Sequence, residues 1–285
     1  MALIPPFFLD CVVAIGFSRD GQKPAYQATG FLYGHFLKEE DDKQKSYRVF
    51  LVTNRHVFDQ EEQAFLRFNP EGGAPAREFA VRLLDKSGKA TWFAHDDASV
   101  DVAVIGINGQ RLRDEGIRFG LFESDAHTAS RNKATELGIS EGDGVFLLGF
   151  PMGLVGESRN VVVVRQGAIA RIRDCLESNS RDFLIDCAVF PGNSGGPVVT
   201  RPEITSIQGT KSVNAAYLLG IVASYLPYQD VAISQQTRRP RVIFEENSGL
   251  ASVFPMDCIE SVVRKALATA GEPPPTKVEA TGGAA

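Results

Sequence analysis

Short runs of β-branched and aromatic residues, each closed by Gly, Pro, Asp or Asn, recur along this chain. They include CVVAIGF (11–17), YQATGFLYGHF (26–36), RVFLVTN (48–54) and VDVAVIGI (100–107). DGVFLLGF (143–150), NVVVVRQGAIARI (160–172), DFLIDCAV (182–189) and AYLLGIVASY (216–225) continue the series. Strand-length segments at this spacing predict an all-β protein, an antiparallel barrel or sandwich rather than βαβ units. Helical pattern is scarce. Its clearest instance is MDCIESVVRKALATA (256–270), where Ile259, Val262, Val263 and Leu267 share one face and Asp257 is placed to cap.

With 285 residues, 44% of them apolar and 23% charged, the chain can bury the core of one large all-β domain or two small ones. A net charge of −5 argues against nucleic acid or an anionic membrane surface as the main partner. No apolar run approaches the roughly 18 residues of a membrane span. The stretch MALIPPFFLDCVVAIGF makes a poor signal peptide, because it lacks a basic start and Pro5-Pro6 and Asp10 interrupt it. A cytoplasmic location with buried free thiols at Cys11, Cys175, Cys187 and Cys258 is the expectation. Neither zinc-ligand nor CxxC spacing occurs among these cysteines, so no metal or cofactor is implied.

Two charged segments, LKEEDDKQKS (37–46) and QQTRRPR (235–241), read as solvated loops, and GEPPPTKVEATGGAA (271–285) has the composition of a disordered tail. The connection over 108–142 is the expected boundary between an N-terminal barrel (about 9–110) and a C-terminal one (about 140–255).

One stretch does not fit a purely structural reading. FPGNSGGPVV (190–199) sets Ser194 among glycines just ahead of an apolar run. Glycines around a serine make either a flexible turn or a loop whose backbone N–H groups converge beside the hydroxyl, as acyl-transfer chemistry requires. A serine nucleophile needs a base, and the base needs an orienting acid. All four histidines (His35, His56, His95 and His127) precede Ser194. That order excludes the α/β-hydrolase arrangement, in which the histidine comes last. His56, in FLVTNRHVF, lies where an apolar strand ends; Asp101 lies where the apolar run VDVAVIGI begins.

VTNRHV, DVAVIGI and PGNSGGPVV together resemble the three catalytic blocks of chymotrypsin-fold serine proteases, closest to the bacterial HtrA (Deg) type. GDGVFLLGFPMGL, LLGIVASY and GLASVFPMDCIESVVRKAL resemble further blocks of that domain, so the likeness covers about residues 10–270. The resemblance implies two antiparallel six-stranded β-barrels with a C-terminal helix and one trypsin-like protease domain over 1–270; HtrA proteins usually carry PDZ domains after it, and the sequence departs from that pattern, so none is expected here. It implies a triad of His56, Asp101 and Ser194, and an oxyanion hole from the N–H groups of Gly192 and Ser194 with the Asn193 peptide between them. Because Asn193 stands where digestive enzymes carry an aspartate, zymogen cleavage is not expected, and ordering of segments 37–46 and 227–247 is the expected control. Ala188 at the base of the S1 pocket and Ala223 and Tyr225 at its edge imply small or medium aliphatic P1 residues. The expected partners are protein or peptide substrates, an activating partner, or further copies of the chain joined through Pro5-Pro6-Phe7-Phe8. A catalytically silent pseudoprotease or chaperone-like binding module, and a serine esterase on the same fold, remain open as alternatives.

Overall fold

The computed structural model describes residues 3–19, 21–39, 44–178, 180–203, 205, 207–269 and 279–280. The N-terminal half holds β1 (Val12–Phe17), β2 (Ala25–Glu39), β3 (Lys45–Thr53), β4 (Gln63–Phe68), β5 (Arg77–Arg82), β6 (Phe93–Ala94), β7 (Ala103–Gly106) and β8 (Phe122–Glu123). Their order is β5-β4-β1-β2-β3-β7-β6, antiparallel throughout, with β8 added parallel to β2. The two ends of this path meet through the Leu84–Ala90 bridge and the bond from Thr91 N–H to Leu83 O (2.9 Å). The C-terminal half holds β9 (Gly144–Gly149), β10 (Val163–Arg171), β11 (Phe183–Asp186), β12 (Pro197–Thr200), β13 (Leu218–Ile233) and β14 (Pro240–Pro255). These six close into a barrel in the order β10-β11-β14-β13-β12-β9. The architecture is the all-β double-sheet arrangement the sequence implies, with its C-terminal helix in place.

Alternation along the strands explains how two sheets share one centre. Side chains point to opposite faces at successive positions. Val13 and Ile15 of β1 join Leu32, Leu51, Leu66 and Phe79 inside the first sheet. Val12 and Ala14, on the opposite face, join Phe31, Val52, Leu148 and Ile221 in a core between the halves. A third core of Val145, Leu147, Ile185, Val198 and Val222 fills the closed barrel. The helix Met256–Thr269 lays Ile259, Val262 and Val263 into the middle core, so it seals the seam between the sheets.

Several expectations change. Asp257 does not cap its own helix; its Oδ2 accepts from Arg131 N (2.9 Å), at the start of the helix Arg131–Leu137. In the charged segment 37–46, Leu37–Glu39 continue β2 and Lys45–Ser46 begin β3, while 40–43 lie outside the described residues. Segment 227–247 is not a loop. It is the outer part of a β13–β14 ribbon, paired from Pro227–Asn247 out to Ile233–Pro240. Phe8, expected at a surface between copies, is buried against Phe122 and His127 of its own chain, whereas Phe7 is partly exposed. Of the tail 271–285, only Glu279–Ala280 are described; they pair antiparallel with Ala80 and Phe79.

Candidate active site

Strand register brings His56 and Asp101 together. β3 ends at Thr53, which pairs with Ala103 at the start of β7. The chain leaving β3 therefore faces the chain entering β7. Asn54, fully buried, donates from Nδ2 to Asp101 O (2.7 Å) and ties the two ends. A single helical turn, Arg55–Phe58, then begins. It turns the His56 ring so that Nδ1 lies 2.5 Å from Asp101 Oδ2, while the His56 N–H donates to Asp101 Oδ1 (2.9 Å).

The electrostatics follow from this contact. The hydrogen bond to Asp101 raises the His56 pKa above its ordinary 6.5, outweighing the burial that works against the imidazolium; the Asp101 and Asp59 charges add to the rise. Burial pushes the Asp101 carboxyl up, but hydrogen bonds from the His56 ring, the His56 N–H and the Arg55 N–H overcome it and hold the pKa below 3.8. A carboxylate that stays ionised can orient Nδ1–H and support an imidazolium.

Ser194 reaches the same corner by way of β2. Thr29, at 0% exposure, donates its N–H to Ser194 O (2.9 Å), and its own carbonyl accepts from Thr53 Oγ1 (2.8 Å). The serine loop is thus stitched to the strand that ends three residues before His56. Gly195 has φ +85°, and a side chain there would run into Thr29 O and Thr53 Oγ1, so only glycine lets the loop come this close. Ser194 is half-buried, and its hydroxyl makes no hydrogen bond to His56 or any other described residue. Nucleophile–base contacts in ligand-free sites commonly tighten only when substrate docks.

The expected oxyanion donors are unengaged among the described residues. Within the loop, Asn193 N–H donates to Phe190 O (2.9 Å), Gly195 N–H to Val222 O (3.2 Å) and Gly196 N–H to Asn193 O (2.8 Å). The N–H groups of Gly192 and Ser194 donate to no acceptor among the described residues. The Pro191 carbonyl accepts from Met152 N (2.6 Å), which fixes the Pro191–Gly192 peptide plane and turns its N–H the other way. The Gly192 carbonyl is held by Thr29 Oγ1 (2.6 Å), which also accepts from Phe150 N (3.0 Å). Asn193 is fully buried; its Oδ1 accepts from Phe190 N (3.1 Å), so its side chain staples the loop where an ion pair is absent.

The three residues expected at the pocket differ in exposure and partners. Ala188 is exposed in the loop after β11, and Ala223 lies 7% exposed on β13. Tyr225 turns toward β14, where its hydroxyl donates to Glu245 Oε1 (2.8 Å). Asn247, not singled out within the segment 227–247, donates from Nδ2 to Val189 O (2.6 Å) and ties β14 to the residue after Ala188. Thr29, Met152 and Arg67 were also missed. Arg67, 7% exposed, donates from its guanidinium to Val155 O, Gly156 O, Glu157 O and Asn160 Oδ1, and so pins the segment that follows Met152. Their partners, mostly backbone groups, lie far away in sequence, a relation that leaves no local signal.

All four cysteines are buried and unbridged. Among the described residues no His/Cys/Asp/Glu group could hold a metal ion, and no helix is long and apolar enough to cross a membrane.

Among solved structures, the apo protease domain of MamO from Magnetospirillum magneticum is similar, at 16% identity over 90% of this chain and 97% of that one, with a TM-score of 0.46. No curated protein matches. The trypsin-like peptidase domain matches over residues 28–203, which include His56, Asp101 and Ser194, without singling out the HtrA branch. The chain belongs to the trypsin-like peptidase domain family.

Proposed function

We propose that this protein is a serine endopeptidase that cleaves peptide bonds through an acyl-enzyme on Ser194. The observation that carries the reading is the conjunction of a directly paired His56–Asp101 with two unused N–H groups, at Gly192 and Ser194, in one buried loop. Ser194 Oγ attacks the scissile carbonyl, and His56 Nε2 takes the hydroxyl proton. Asp101 keeps the ring in the Nδ1–H tautomer and supports the imidazolium. The carbonyl oxygen becomes an oxyanion between the Gly192 and Ser194 N–H groups, where losing one such donor typically costs about 2.7–4 kcal/mol of barrier. His56 then passes its proton to the leaving amine, and water resolves the ester by the same route.

The family resemblance assigns the P1 pocket to Ala188 and Ala223, neither of which is charged. Small or medium aliphatic P1 residues suit it, with loose selectivity, since one methylene is worth only about 1–3 kcal/mol. The missing Ser194–His56 hydrogen bond favours a second reading, a site at rest or a silent binding module. Casein and a peptide library, digested by wild type, Ser194→Ala and His56→Ala and read by mass spectrometry, decide between them. Cleavage after Ala, Val or Leu that both substitutions abolish is the expected result. No cleavage by wild type, or cleavage after Lys or Arg, overturns the proposal.

A further inference from the structure

The outer part of the β13–β14 ribbon is the least explained feature of the molecule. It stands clear of the barrel with apolar side chains on both faces: Tyr228, Val231, Ile233, Val242, Ile243 and Phe244 are 41–61% exposed. Among the described residues no further strand pairs with it, and a two-stranded ribbon alone is marginal in water. Its long edges offer unpaired backbone groups.

One of those edges starts at the candidate active site. β13 is flanked by β12 only as far as Ile221, where Pro197 pairs. Val222 then exchanges hydrogen bonds with the serine loop: Gly195 N–H donates to Val222 O (3.2 Å), and Val222 N–H to Gly196 O (3.0 Å). Beyond Val222 that edge carries no strand among the described residues, through Ala223 and Tyr225 and on to Ile233. A chain acylated on Ser194 leaves the serine at the point where this edge opens. Running antiparallel to β13, its residues N-terminal to the scissile bond can follow the edge for ~10 residues, roughly 33 Å at ~3.3 Å per residue. Pro227 sits inside β13, and a proline is tolerated in a strand where its missing N–H faces an unpaired edge.

The far end has its own chemistry. Arg238, Arg239 and Arg241 are exposed at the ribbon tip, in a chain whose net charge is −5. Such a cluster matches acidic groups.

We propose that the ribbon is an extended substrate platform. It takes, by β-strand addition, an unfolded polypeptide segment N-terminal to the cleaved bond, with alternating apolar residues and acidic residues about nine positions upstream that meet the arginines. In strand addition, main-chain bonds supply affinity and alternate side chains supply selectivity. This proposal rests on the endopeptidase reading and extends it from a P1 pocket to a long recognition surface.

The test shortens the ribbon without touching its base. Replacing residues 230–244 by Asn-Gly, a two-residue turn that suits a hairpin, leaves in place the bonds of Tyr225 and Gln229 to Glu245 and of Asn247 to Val189 O. Four-residue and fourteen-residue peptidyl p-nitroanilides ending in the same P4–P1 sequence are compared, the longer one with Glu or Lys about nine residues upstream; cleavage releases p-nitroaniline from the P1 carbonyl. The wild type should prefer the long acidic substrate by roughly tenfold in kcat/KM, an increment of about 1.4 kcal/mol. The shortened variant should show no length preference. Arg238→Glu with Arg239→Glu and Arg241→Glu should invert the Glu-over-Lys preference. Equal length preference in wild type and shortened variant overturns the proposal, as does a wild-type mass by light scattering twice that of the variant, which would assign the ribbon to a second copy. Anisotropy of the labelled long peptide on Ser194→Ala, with and without the shortened ribbon, reads docking independently of catalysis. Weaker binding after shortening supports the platform even if the peptidase reading fails; unchanged binding refutes it.

Discussion

Thr29→Val tests whether the serine loop is held from β2. The substitution is nearly isosteric and removes one hydroxyl. That hydroxyl donates to Gly192 O (2.6 Å) and accepts from Phe150 N (3.0 Å), in a residue at 0% exposure. Both partners are backbone groups in buried surroundings, and a valine methyl offers neither a proton nor a lone pair. An orphaned buried polar group costs about 1–3 kcal/mol, so two predict a loss of about 2–6 kcal/mol, with relaxation drawing the value toward the lower end. The kinetic effect has a separate cause. The Gly192 peptide carries one of the oxyanion N–H groups, and without Thr29 its carbonyl end is unheld. If the donor then swings out of line, the rate falls by up to about 10²–10³-fold, carried in kcat. Thr29→Ser keeps both hydrogen bonds and loses one methyl, about 0.8 kcal/mol, so it should retain activity. Urea unfolding gives the stability of the three proteins, and steady-state kinetics on a short peptide gives kcat and KM separately. A Thr29→Val protein as stable and as active as wild type would refute the reasoning. So would a Thr29→Ser protein that fails as badly as Thr29→Val.

Three further outcomes follow from the same geometry. His56 must be neutral to act as base, and Asp101 raises its pKa above 6.5, so the rate should climb with pH through a midpoint above 6.5; Asp101→Asn should move that midpoint down and cut kcat by about 10⁴-fold, whereas a flat rate between pH 5 and 8 contradicts the assignment. The pair also couples to folding. The raised His56 pKa stabilises the fold below 6.5 and this is lost as pH rises through the folded value, while the lowered Asp101 pKa stabilises it above 3.8 and this is lost as pH falls through the folded value. Melting temperature against pH for wild type and His56→Ala should therefore diverge most between those limits, and parallel curves would count against the coupling. Arg67→Ala should release the 155–160 segment, seen as faster limited proteolysis there and a drop in kcat with little change in KM; unchanged cleavage would show that the guanidinium contacts are dispensable.

What could be read from the residues, and what could not, divides by physical cause. Strands buried on both faces, such as β1 and β9, announce themselves through a continuous apolar run. PGNSGGPVV is legible because glycine at Gly192 and Gly195 answers a backbone need, positive φ and close approach. His56 and Asp101 are legible because each falls at the end of an apolar run. The ribbon was hidden because neither of its faces is buried: PYQDVAI and RVIFEEN mix apolar and charged residues on both sides, so no face pattern separates strand from loop. Thr29 and Arg67 were hidden for another reason. Their roles are hydrogen bonds to main-chain groups at sequence separations of 163 and 88–90 residues, which no local pattern encodes.

The central claim is that Ser194 is a nucleophile activated by His56 and served by the Gly192 and Ser194 N–H groups. Intact-mass measurement after reaction with a fluorophosphonate tests it most directly, because the probe forms a stable phosphonyl ester only on an activated serine. The account predicts one adduct per chain on the Ser194 peptide, absent in Ser194→Ala and strongly slowed in His56→Ala. An unlabelled wild type, or an adduct that persists in Ser194→Ala, would contradict it.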